Sequence, residues 1–138
     1  MILRCTFEEL SAVKAAATRV IGGAGSGGIA APPDVVAHVE ALRDRMDGDV
    51  SVRTLADVRA IARTTGFILD ETRGRTDDFI LAQHPAAEDA VTSYFEYAHI
   101  LTFLDRVRRL DAEMCALIEL MTGEPPNEDA AVRVSFED

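Results

Sequence analysis

Glu96 and His99 stand three residues apart in a stretch free of glycine and proline. On a helix that spacing puts both side chains on one face. In four-helix carboxylate proteins a Glu-x-x-His pair of this kind directs two ligands at one metal. A complete site needs further carboxylates, and Glu40 and Glu71 on other predicted helices are the ones available. A symmetric dimer would supply a second pair. The competing reading makes His99 a hydrogen-bonded histidine beside the core.

A second constellation depends on strand pairing. If the segments around residues 2–7, 50–53 and 131–137 form one sheet, its polar face gathers Arg4, Arg53 and Arg133. Three guanidinium groups on one face would bind carboxylate or phosphate through paired N–H donors. Gly23-Ala24-Gly25-Ser26-Gly27-Gly28 satisfies G-x-G-x-x-G and resembles the phosphate loop of flavin and nicotinamide enzymes. Such a loop must follow a strand and open a helix. Here it follows an Ala-rich helical segment, and Pro32 and Pro33 close it. It reads as a connector. His84 reads as a turn or capping residue and His38 as a solvated one. No serine carries an elbow or a local base, so no catalytic residue is assigned and no cofactor is implied.

The elements that must position these residues are mostly helices. Thr6 and Glu9 form a capping box ahead of Leu10, Val13, Ala17 and Val20 at helical spacing, and Gly22 and Gly23 end that helix. A second helix opens at Pro33 or Asp34 and stops before Gly48. A strand at Val50–Arg53 then leads to Thr54, which with Asp57 repeats the capping pattern. Thr6-Phe7-x-Glu9-Leu10-x-Ala12-Val13 echoes Thr54-Leu55-x-Asp57-Val58-x-Ala60-Ile61. The helix from Thr54 passes Ile68 and Leu69 and weakens at Gly74, and a separate helical piece covers Asp78–Gln83. At the end of the chain Val132, Val134 and Phe136 alternate with Arg133, Ser135 and Glu137, the pattern of a half-buried strand.

The longest feature runs from Pro85 to Thr122, bounded by Gly123, Pro125 and Pro126. As one helix it would measure about 57 Å, against roughly 37 Å across a compact domain of this length. Such a helix bends, or it projects and meets a partner. Its first half is apolar almost all round, which predicts burial on most sides. Its second half carries a coiled-coil-like heptad seam: Ile100, Phe103, Val107, Leu110, Met114, Leu117 and Met121. That seam packs on the chain's own helices or on a second copy.

Composition sets the outer bounds. The chain has 138 residues, 24 acidic and 14 basic side chains, and a net charge of −10. This length suits one domain, residues 1–138. The charge argues against nucleic acid and anionic membrane surfaces and favours a basic protein partner. No segment approaches a bilayer span, and two cysteines distant in sequence fit a reducing, cytoplasmic setting. The expected fold is a predominantly helical α+β domain. It has four or five helices, one long C-terminal helix, and a small sheet from the N-terminal, central and C-terminal strands. The expected function is a non-enzymatic interaction module (adaptor, scaffold or regulatory subunit) that forms a homo-oligomer, a dimer above all, through the long helix. An acidic, immunity-type inhibitor of a basic protein and a metal-binding helical protein using Glu96 and His99 are the alternatives.

Overall fold

The computed structural model describes residues 1–22, 31–81 and 87–137. The protein is mostly helical, with five helices and one two-stranded antiparallel sheet among the described residues. In chain order the elements are β1 (Ile2–Leu3), α1 (Phe7–Ile21), α2 (Pro33–Arg45), β2 (Val50–Ser51), α3 (Leu55–Leu81), α4 (Ala87–Thr122) and α5 (Glu128–Arg133). The Gly23–Gly28 string and His84 lie outside the described residues.

Local chemistry explains where the first helices begin. The Thr6 hydroxyl accepts from Glu9 N–H at 3.1 Å, and the Glu9 carboxylate accepts from Thr6 N–H at 2.9 Å. Two donors left orphaned by the first turn of α1 are thereby satisfied. Pro33 at the first position of α2 has no N–H to lose. At α3 the Thr54 hydroxyl accepts from Asp57 N–H at 3.1 Å. The Asp57 carboxylate is taken by Arg45, so this cap is held from α2.

The two echoing segments both form strand, threonine cap and helix. Their strands pair, Ile2 with Ser51 and Leu3 with Val50, and Val52 N–H donates to Met1 carbonyl at 2.8 Å. Leu3, Val50 and Val52 point into the core.

The expected third strand does not form. Asn127 accepts from Ala130 N–H at 2.9 Å and caps α5, with Glu128 and Asp129 at the positive end of the helix dipole. That cap outweighs the alternation of Val132, Val134 and Phe136. Only a single bridge, Thr54 with Ser135, follows α5, and Phe136 N–H donates to Arg53 carbonyl at 2.6 Å. The 36-residue α4 is therefore not the last element of the chain. Nor does α3 break at Gly74; it runs 27 residues as one helix, because α4 packs along its length.

The core lies where α1, α3 and α4 meet. Val13, Ala17 and Val20 of α1 pack with Leu55, Val58, Ile61 and Ile68 of α3, and with Phe103, Leu104 and Met114 of α4. Helices α1 and α4 run antiparallel. Glu9 faces Arg106 at 2.8 Å, and ten residues on Arg19 faces Glu96 at 2.6 Å.

Candidate interaction surface

The heptad seam turns inward. Ile100, Phe103, Val107, Leu110 and Met114 are buried in the chain's own core, and Leu117 is half-buried beside Ile118. Of the seven, Met121 alone is well exposed, at 66%. The first five seam residues are therefore unavailable to a second copy. The heptad spacing selects the face of α4 that meets α1 and α3.

Glu96 and His99 sit on the half-buried part of α4. Both carboxylate oxygens of Glu96 accept from Arg19, at 2.6 and 3.2 Å, in a fork that closes α1 onto α4. Glu40 and Glu71 do not join them, and no group of three potential metal ligands exists among the described residues. The three arginines are not on one sheet face. Arg4 follows β1, Arg53 follows β2, and Arg133 lies in the last turn of α5, 4.0 Å from Asp129. Their expected alignment required the strand that α5 replaces.

The feature that sequence reasoning missed lies in the distal half of the α3–α4 hairpin. Between Asp70 and His99 no described apolar side chain is buried. The side chains buried there, among the described residues, are hydroxyls: Thr72, Thr76 and Ser93. Thr72 and Thr76 donate to the carbonyls four residues earlier, and the Thr76 and Ser93 hydroxyls meet at 2.6 Å. Small hydroxyl residues satisfied on their own helix let two backbones approach closely without an apolar filling. Meanwhile Ile80, Val91, Tyr94 and Phe95 stand 62%, 53%, 58% and 58% exposed. Among the described residues of this half, the buried side chains are polar and several large apolar ones are exposed, against the usual order.

The exposed side chains form a patch. Tyr94 and Phe95 lie one helical turn after Val91, and their rings meet edge to face at 6.2 Å. Phe95 lines an open groove of about 400 Å³ between α1 and α4. Its floor is Ala12 and Ala15, and Phe7, 78% exposed, stands on the opposite wall. Contiguous exposed apolar side chains of this kind are often functional on a monomer. The charge of the patch is low on the α4 side, while Glu8 lines the groove from α1. Residues 90–104 contain one acidic side chain, Glu96, and Arg19 pairs with it. The signal was present in the sequence as a helix apolar on all sides.

Against known protein families, curated proteins and solved structures, the chain finds no match. No described helix is long and apolar enough to cross a membrane.

The two cysteines are free and half-buried. Burial, then Glu9 and Asp49, push the Cys5 thiol up to about 11. Cys115 sits in a small polar knot, donating to Asp111 at 3.3 Å while Arg59 reaches both. Burial and the Asp111 carboxylate raise its pKa. Neither thiol has the lowered pKa of a nucleophile.

Proposed function

We propose that this protein is a non-enzymatic interaction module that dimerises through the first half of α4. The observation that carries the reading is the inverted distal hairpin. Val91, Tyr94 and Phe95 are exposed while Thr72, Thr76 and Ser93 fill the interior. A helix apolar all round is stable when covered on most sides, and within the chain α3 and α1 cover only part of this one.

The low charge on the α4 side of the patch, where Glu96 is paired with Arg19, selects the occupant. Two copies of a chain with a net charge of −10 repel, so they associate best through the face with the fewest charges. A basic partner would be drawn to an acidic face instead. A two-fold arrangement repeats the same patch on both sides and brings the two distal hairpins together as four helices.

Sedimentation velocity over a wide concentration range tests the reading. The expected result is a reversible monomer–dimer equilibrium. Tyr94→Ser with Phe95→Glu, both at exposed positions, is expected to yield a folded monomer with unchanged far-UV circular dichroism. A wild-type protein that stays monomeric to millimolar concentration would overturn the proposal, as would a dimer that survives both substitutions.

A further inference from the structure

A second feature, independent of the patch, lies on the opposite side of α3. An open cavity of about 300 Å³ lies between α2 and α3, lined by the half-buried Val35, Ala60, Thr64 and Phe67 and the exposed His38 and Arg63. It continues past His38 into a smaller cavity of about 160 Å³ that ends at Arg45 and Asp57. The two ends differ electrostatically. Arg45 is closed by both oxygens of Asp57, at 2.7 and 2.9 Å, and by the Ser51 carbonyl. That end is neutral and satisfied.

Arg63 is different. Arg19, Arg59 and Arg106 likewise meet a carboxylate from another element. Seven of the thirteen arginines meet a carboxylate among the described residues, and Arg63 is not one of them. Neither Arg63 nor His38 has a hydrogen-bond or ion-pair partner among the described residues. An unpaired guanidinium fork and an imidazole thus flank an apolar cleft that contains no acid of its own until Asp57.

We infer that the α2–α3 cleft binds a small carboxylic acid with an apolar body. The carboxylate accepts from the Arg63 fork and from a ring N–H of His38, and the body packs on Val35, Ala60 and Phe67. Geometry and charge choose this class. A planar guanidinium matches a carboxylate through two parallel N–H donors. One guanidinium supplies one positive charge, which suits a monoanion. A polyphosphate would meet the repulsion of a net −10 chain. The volume lies at the small end of ligand cavities, which suits an aryl or short alkyl acid.

The test is a ¹H–¹⁵N titration of the full chain with benzoate, phenylacetate and hexanoate, with benzyl alcohol and inorganic phosphate as comparators. The expected result is saturable shifts on the facing turns of α2 and α3 for at least one acid, and none for benzyl alcohol or phosphate. Arg63→Gln, at an exposed position, is expected to weaken the bound acid about tenfold or more. His38→Gln should weaken it less. Failure of all three acids to saturate at millimolar concentration would overturn the inference. So would affinity unchanged in Arg63→Gln, or phosphate binding as tightly as the acids.

Discussion

Glu9 is the one charged residue buried among the described residues, and removing it tests the account of how α1 is fixed. Its side chain is 1% exposed. Its carboxylate accepts from Thr6 N–H at 2.9 Å, from Arg106 at 2.8 Å and from the Thr102 hydroxyl at 3.0 Å. It therefore completes the cap of α1 and joins that helix to α4. Glu9→Ala removes all three contacts. The cap accounts for about 1 kcal/mol. A charge-assisted hydrogen bond adds about 1.5–3 kcal/mol when buried, less here because Arg106 is 39% exposed and regains water. The expected loss is about 2–3 kcal/mol. Glu9→Gln keeps an oxygen for Thr6 N–H and loses the ion pair, so about 1–1.5 kcal/mol is expected. Urea denaturation at one protein concentration, with the slope checked for constancy, reads both numbers. A Glu9→Ala protein within about 0.5 kcal/mol of wild type would refute the reasoning. Equal losses in the two variants would refute the division between cap and ion pair.

Two further outcomes follow from buried polar groups. Thr76→Val leaves the buried Ser93 hydroxyl without the partner it meets at 2.6 Å, an expected cost of about 1–2 kcal/mol. Adding Ser93→Ala should recover part of it in thermal unfolding, and strictly additive losses would contradict the pairing. Cys5, with its pKa raised from 9.0 to about 11, deprotonates in the unfolded chain before it does so in the folded one. Stability from this group is fully present below pH 9 and is lost as pH rises through 11. Iodoacetamide labelling of Cys5 in a Cys115→Ser background should rise with a midpoint near 11, and a midpoint at the ordinary thiol value would be inconsistent with its burial.

The helix starts were legible because capping is local. Thr6 with Glu9, Pro33, and Thr54 with Asp57 each act within one turn, and the structure places a helix behind each. The last segment misled for the same reason. Alternation at Val132, Val134 and Phe136 fits a strand, yet Asn127, five residues before Val132, caps a helix that runs through Arg133. Gly74 suggested a break in α3, where the packing of α4 along that helix outweighs a propensity cost of about 1 kcal/mol. The seam on α4 was legible as a face but not as a contact. Periodicity says which side chains point together; it does not count the helices available to cover them. At the base of the hairpin α1 and α3 cover the seam. At the tip Tyr94 and Phe95 remain outside, although their surroundings in the sequence are as apolar as those of Phe103.

The buried hydroxyls of the hairpin tip have a consequence for how firmly the chain holds its shape along its length. Near Phe103 and Met114 the two long helices are bound by side chains that water cannot reach. Toward the tip they are joined by the Thr76–Ser93 hydroxyl pair, whose hydrogen bond water can replace once the helices part. Resistance to opening should therefore decline steadily from base to tip, as in a clamp hinged at one end. Docking of a second copy against Tyr94 and Phe95 would add its stabilisation where the clamp is weakest. The order of the tip would then depend on how much of the protein is present, while the base folds the same way at any dilution.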